Sequence, residues 1–351
     1  MQVVRHARRG GFTLIELLVV ISLIAALAAL SAGAFFRVRN AQQTQATNAT
    51  LNKLHSLMDM RWKAIIDQAR NDMNKGKIPP LIMTFAANDL DRARSIWTYM
   101  LLTNEFPTTF DEATTPVFVN GAFLPPRTVF AQLPASNATK LTTLATAPLA
   151  PGQLESALAF QSAACFYVAI SATGNRGNAA DSDGTTNQAR DYTDPVTGAT
   201  ARVFVDSFGT PIGFFRMSYA PELNFSPYTT ALGGKILSND PLDPLGRLPG
   251  TWANTTTAGN TLSNGTIFWS SVAGYHIFLT TPSSITGNMP WAPRNTPGEV
   301  PPVYPGSVNW VPTLVSAGMD RTWNDNGTLG FFGGDNIVSF RLRRQGARGD
   351  F

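Results

Sequence analysis

The chain has 351 residues, of which 14% are charged, and it carries 29 glycines and 24 prolines. That length suits one large or two ordinary domains, and the composition points to a loop-rich head rather than a compact helical protein. The formal net charge is +4, but Arg5, Arg8 and Arg9 supply three of the positives, so the chain without residues 1–11 stands at +1. No basic stripe remains to hold a nucleic acid, and Cys165, alone, excludes an internal disulfide.

From Phe12 to Phe36 the sole charge is Glu16. As a helix this run of about 25 residues measures about 37 Å, against a hydrocarbon core of about 30 Å. It can span a membrane with some tilt. The arginines upstream hold its N-terminal side in the cytoplasm, which places the bulk of the chain in the periplasm or outside. The small residues between Ala25 and Ala34 leave an ordinary signal peptide open as an alternative. An ionisable group inside a span signals function; the plainer reading is that Glu16 snorkels at the cytoplasmic interface.

After Phe36 the sequence turns polar but keeps a helical period. Leu51, Leu54, Leu57, Met58, Trp62, Ile65, Ile66 and Ala69 recur at spacings of three and four, one apolar stripe on an amphipathic helix. No proline occurs before Pro79, and Gly76 is the expected stop. One helix from Phe12 to about Lys75 is therefore predicted, roughly 96 Å long. A second helix is expected over residues 88–105, with Asn88 or Asp89 as its cap. Residues 106–151 read as loops, and 152–170 as a third, buried helix. Cys165 lies in its apolar stretch, which predicts an inert, buried thiol.

Residues 174–198 read as a polar loop. Its Asp181, Asp183, Asp191 and Asp194 do not fit an EF-hand, because Thr186 and Tyr192 stand where Gly and Glu are needed. The pattern then shifts to period two. Residues 202–205 and 212–217 flank Asp206-Ser207-Phe208-Gly209-Thr210-Pro211, a hairpin signal. Further strands are expected at 266–269, 275–279, 311–315 and 337–342, with turn-rich chain over 226–265 and 281–310. No Gly-x-Ser-x-Gly, His-Glu-x-x-His or phosphate loop occurs. His55 is expected at the surface beside the apolar stripe, and His276 as an ordinary strand residue. The chain reads as non-enzymatic.

The junction Gly11-Phe12-Thr13-Leu14-Ile15-Glu16, followed by Leu17-Leu18-Val19-Val20-Ile21, resembles the N-terminus of type IV prepilins and type II secretion pseudopilins. The resemblance implies that prepilin peptidase cuts after Gly11 and methylates the new Phe12 amine. It implies that Glu16 then pairs with the Phe12 amine of a neighbouring subunit and sets register in a filament. It further implies an α+β, pilin-like fold. A leader would cover residues 1–11, a transmembrane and filament-core helix 12–36, its amphipathic continuation 37–76, and a head with an antiparallel sheet and extra helices 77–351. Expected partners are the peptidase, other pilin or pseudopilin subunits, an inner-membrane assembly platform and the lipid bilayer, with no nucleic acid. A large head suggests a minor or specialised subunit. The alternative is a membrane-anchored binding module that borrows the leader for export.

A second resemblance lies further on. Asp206-Ser207-Phe208-Gly209-Thr210-Pro211-Ile212 looks like a hairpin of major pseudopilins, and Leu314-Val315-Ser316-Ala317-Gly318-Met319-Asp320 like their Ser-x-Gly-x-Asp-Gly loop. That loop binds calcium in the family. Carried over, Asp320 and Asp335 match acidic ligands, with Asp325, the Leu314 carbonyl and a Ser316 oxygen as further candidates. Arg321 departs from the family's Gly.

Overall fold

The computed structural model describes residues 14–119, 122–134, 153–171, 188–218, 242, 254–257, 260–263, 311–323 and 335–339. The chain divides into two compact units, Met1–Gln45 and Ala46–Phe351. Helix α1 spans Leu14–Asn74. In the first unit every residue of α1 from 14 to 39 is exposed, including Leu14 at 81% and Leu30 at 73%. Within it the Ser22 hydroxyl donates to the Val19 carbonyl at 2.8 Å, so this polar group is met inside the helix.

The second unit is built on the predicted stripe. Leu51, Leu54, Met58, Ile65 and Ala69 of α1 are fully buried, as three- and four-residue spacing requires for one face. Gly76, at φ +63°, ends the helix, with the Gly76 and Lys77 amides donating back to the carbonyls of Met73 and Asp72. A short helix α2, Pro80–Phe85, follows; sequence periodicity had too little length to reveal it. The expected second helix is α3, Leu90–Glu105, and Asp89 caps it by accepting from the amides of Asp91 and Arg92.

Residues 106–134, expected as loops, contain more order. Helix α4 covers Phe110–Thr114. Strands β1, Val117–Val119, and β2, Ala122–Leu124, form a hairpin, and a 3-10 turn covers Thr128–Gln132. Helix α5, Gln153–Ser171, is the expected third helix. Its polar Gln161 and Ser162 are buried because each accepts from a main-chain amide, of Phe110 at 3.1 Å and of Phe214 at 3.1 Å. The expected strands at 266–269 and 275–279 lie outside the described residues.

Two expectations are corrected. The end of the expected loop 174–198 is strand β3, Ala189–Thr193, paired antiparallel with β4, Thr200–Phe204. Asp194 is fully buried in the connecting turn, where it accepts from the Thr197 amide at 2.9 Å. The expected hairpin of 202–205 with 212–217 is reduced to one bridge, Val205 with Pro211. Strand β5, Gly213–Ser218, instead pairs with β8, Val311–Ser316, and β8 pairs with β9, Ile337–Val338. The sheet order is β5-β8-β9, all antiparallel. A separate hairpin joins β6, Asn254–Thr257, to β7, Asn260–Ser263, within chain expected to be turn-rich.

The core centres on aromatic rings. Phe166 of α5 stacks on Phe214 of β5 at 5.1 Å and meets Phe204 of β4 at 6.1 Å, while Phe106 lies between Trp62 at 5.7 Å and Phe214 at 5.5 Å. The result is a long N-terminal apolar helix followed by an α+β head with antiparallel sheets and extra helices, consistent with a pilin-like fold.

Candidate functional site

The first candidate is the N-terminal half of α1. Gly11 and Phe12 lie outside the described residues. Glu16 occupies the first turn of α1 and is exposed. A carboxylate near the start of a helix is favoured by the positive end of its dipole. Beyond it the exposed side chains of Leu17 to Ile21, Leu23, Ile24, Leu27 and Leu30 present apolar surface on all sides. Among the described residues, α1 is the one helix long and apolar enough to cross a membrane, and none of its most apolar window is buried.

The second candidate is the loop after β8. Asp335 turns its Oδ2 onto two main-chain amides, accepting from Met319 at 2.7 Å and Asp320 at 3.1 Å. Asp320 in turn accepts from the Thr322 amide at 2.8 Å and hydroxyl at 2.6 Å. Gly318 sits at φ +73°, and a Cβ there would fall 2.5 Å from the Asp335 carbonyl. Only glycine fits this approach. Arg321, at φ +60°, also holds the left-handed conformation. Trp323 anchors the loop's far side, buried against Gly213.

The structure thus brings Asp320 and Asp335 together on one exposed loop. Leu314 and Ser316 lie apart from them in chemistry: both are fully buried, and the Ser316 hydroxyl donates to Asp206 Oδ2 at 2.6 Å. Asp325 lies outside the described residues. Calcium takes six to eight oxygens. Both carboxylates are already engaged, Asp335 with the Met319 and Asp320 amides and Asp320 with Thr322, whereas Leu314 and Ser316 are buried in β8. Among the described residues no group of three or more His, Cys, Asp or Glu side chains converges.

Sequence reasoning missed three buried polar joints. Asp206 accepts from the amides of Phe208 and Thr210, both at 2.9 Å, and from the Thr210 hydroxyl at 2.6 Å. This side-chain-capped turn closes a short antiparallel pairing in which the Asp206 amide donates to the Thr210 carbonyl and the Ile212 amide to the Phe204 carbonyl, both at 2.9 Å; an Asp four residues before Thr was the available signal. His55, expected at the surface, is 2% exposed. Its Nδ1 lies 2.9 Å from Ser339 Oγ and its Nε2 3.5 Å from Asp59. Since the Leu314 amide already donates to Ser339 Oγ at 3.0 Å, the hydroxyl proton is available to His55 Nδ1. No sequence signal links His55 to Ser339.

The third joint is the ion pair of Arg216 and Glu112 at 2.6 Å, with Arg216 also donating to the Phe106 carbonyl at 2.9 Å. Cys165 is fully buried nearby, and burial first, then the Glu112 charge, push its thiol well up, against the pull of Arg216. The expected inert thiol has this physical basis.

Residues 6–32 match the family described as Prokaryotic N-terminal methylation motif. No curated protein matches the chain. No solved structure matches it either. The matched stretch takes in the arginine-flanked junction, Glu16 and the exposed apolar part of α1. With that sequence at the head of a long exposed helix, the chain carries the prepilin-type N-terminal methylation motif of type IV pilin-like and pseudopilin-type precursors.

Proposed function

We propose that this protein is a structural subunit of a type II secretion pseudopilus or type IV pilus-like filament, and a minor or specialised one. The observation that carries the reading is the coincidence of the methylation motif with the wholly exposed apolar stretch of α1. A stretch apolar on every side is stable only in lipid or among other helices, and an assembling subunit exchanges one for the other. Prepilin peptidase on the cytoplasmic side cuts after Gly11 and methylates Phe12. The helix then holds the protein as a single pass in the inner membrane, head outward, until the assembly platform draws it into the filament. Glu16 guides register by pairing with the Phe12 amine of a neighbouring copy.

The test is mass spectrometry of the mature N-terminus from native membranes, combined with Glu16→Ala. Methylated Phe12 is expected, and Glu16→Ala is expected to leave cleavage intact while the chain no longer enters filaments. An N-terminus near Ala32 would reassign the segment to an ordinary signal peptide. Unchanged assembly of Glu16→Ala would end the proposed role of that carboxylate.

A calcium ion on the Asp320–Asp335 loop is a subsidiary proposal, supported by the shared exposed position of the two carboxylates. Asp325 belongs to the proposed set by sequence. Thermal unfolding with calcium and with a chelator tests it: a rise in Tm that Asp335→Asn abolishes is expected, and equal curves would end the proposal.

A further inference from the structure

We propose that Arg37 and Arg39 bind the phosphates of anionic phospholipid headgroups at the C-terminal end of the membrane span, and fix how deeply the helix sits. This rests on the reading of α1 as a span. The charge-free stretch of α1 between Glu16 and Arg37 is roughly 20 residues, about 30 Å, which equals the thickness of the hydrocarbon core. With Glu16 at one boundary, that length brings Arg37 to the other.

The chemistry at that boundary is one-sided. Phe35 and Phe36, 63% and 58% exposed, close the apolar stretch with their rings 6.0 Å apart. Arg37 and Arg39 follow, both exposed and without an ion-pair partner among the described residues. After Glu16 the next acidic residue in the chain is Asp59. Two residues along a helix turn through about 200°, so the two guanidinium groups leave opposite faces. A pair on opposite faces suits a ligand that surrounds the helix, as headgroups do, better than one partner docked on one side. Guanidinium matches phosphate with two parallel hydrogen bonds, and the long side chains extend from the apolar boundary to the headgroups.

The test reconstitutes the full chain in phosphatidylcholine vesicles and compares spin-labelled phosphatidylglycerol with spin-labelled phosphatidylcholine by electron paramagnetic resonance. The helix is expected to immobilise both labels and to prefer the anionic one. In Arg37→Gln with Arg39→Gln that preference is expected to fall by about twofold or more, while the double lysine variant retains most of it. Arg5, Arg8 and Arg9 contribute equally to all three chains, so the difference isolates the two downstream arginines. An equal preference in the native chain and the glutamine variant would overturn the proposal. If that variant also failed to assemble, the arginines would belong to a carboxylate on a neighbouring subunit instead. If neither label were immobilised, the chain would not sit in the bilayer, and the membrane reading would fall first.

Discussion

Leu23 and Leu54 lie on the same helix, yet one is 59% exposed and the other fully buried. Up to Val38 α1 shows its apolar side chains on every face; from Leu51 it hides one face and shows polar groups on the other. Burying a leucine is worth about 1.5–3 kcal/mol. The head's stretch gains that within its own core, so it is fixed by folding. The first stretch gains it only from lipid or other helices, so its stability belongs to its surroundings. One helix therefore holds two kinds of residue, distinguished by where their burial is supplied.

The largest expected effect lies in the head. Phe166→Ala removes the ring that stacks on Phe214 and meets Phe204, and should cost about 3–5 kcal/mol in denaturant unfolding. Arg216→Ala should cost about 3 kcal/mol by the same measurement, because it leaves the Glu112 charge without its ion-pair partner at a site where Arg216 is 3% exposed. Leu23→Asp sharpens the contrast. It should weaken membrane insertion by about 3 kcal/mol, read by carbonate extraction, and leave the Tm of the head unchanged. A fall in that Tm would show that the two stretches are not energetically separate.

Smaller effects are expected at the loop after β8 and on the exposed face of α1. Gly318→Ala places a Cβ against Asp335 in a left-handed conformation and should cost about 1–3 kcal/mol. Arg70→Ala breaks a pair with Asp67 in which both side chains are more than 60% exposed; less than about 0.5 kcal/mol is expected. A loss as large as the burial of a leucine, about 1.5 kcal/mol or more, would mean that exposed charges on α1 rival its apolar face in holding the head.

The residues themselves explain which elements were legible beforehand. Three- and four-residue spacing placed α1, and an Asp before a periodic run placed the start of α3. Chain-local signals also placed α5 as a buried helix. The methylation motif was legible for the same reason, since its chemistry lies in consecutive residues. His55 was misread because its partner Ser339 is 284 residues away. A histidine on an apolar face has an unmet polar atom until that partner is known. Strand β5 was assigned to the nearest strand, β4, because a Gly-Pro turn separates them. The two pair only beside the turn, through the Val205–Pro211 bridge, and β5 beyond it pairs with β8, a strand about a hundred residues further on.

The sequence by itself determined the three long helices, the Asp89 cap of α3, and the junction of arginines, apolar run and Glu16, because each is a relation among neighbours along the chain. Tertiary structure alone decided that β8 lies between β5 and β9, that Asp335 closes over Gly318, and that His55 is interior. Those outcomes depend on which distant groups satisfy one another's hydrogen bonds once the apolar faces are buried, and no spacing along the chain encodes that choice.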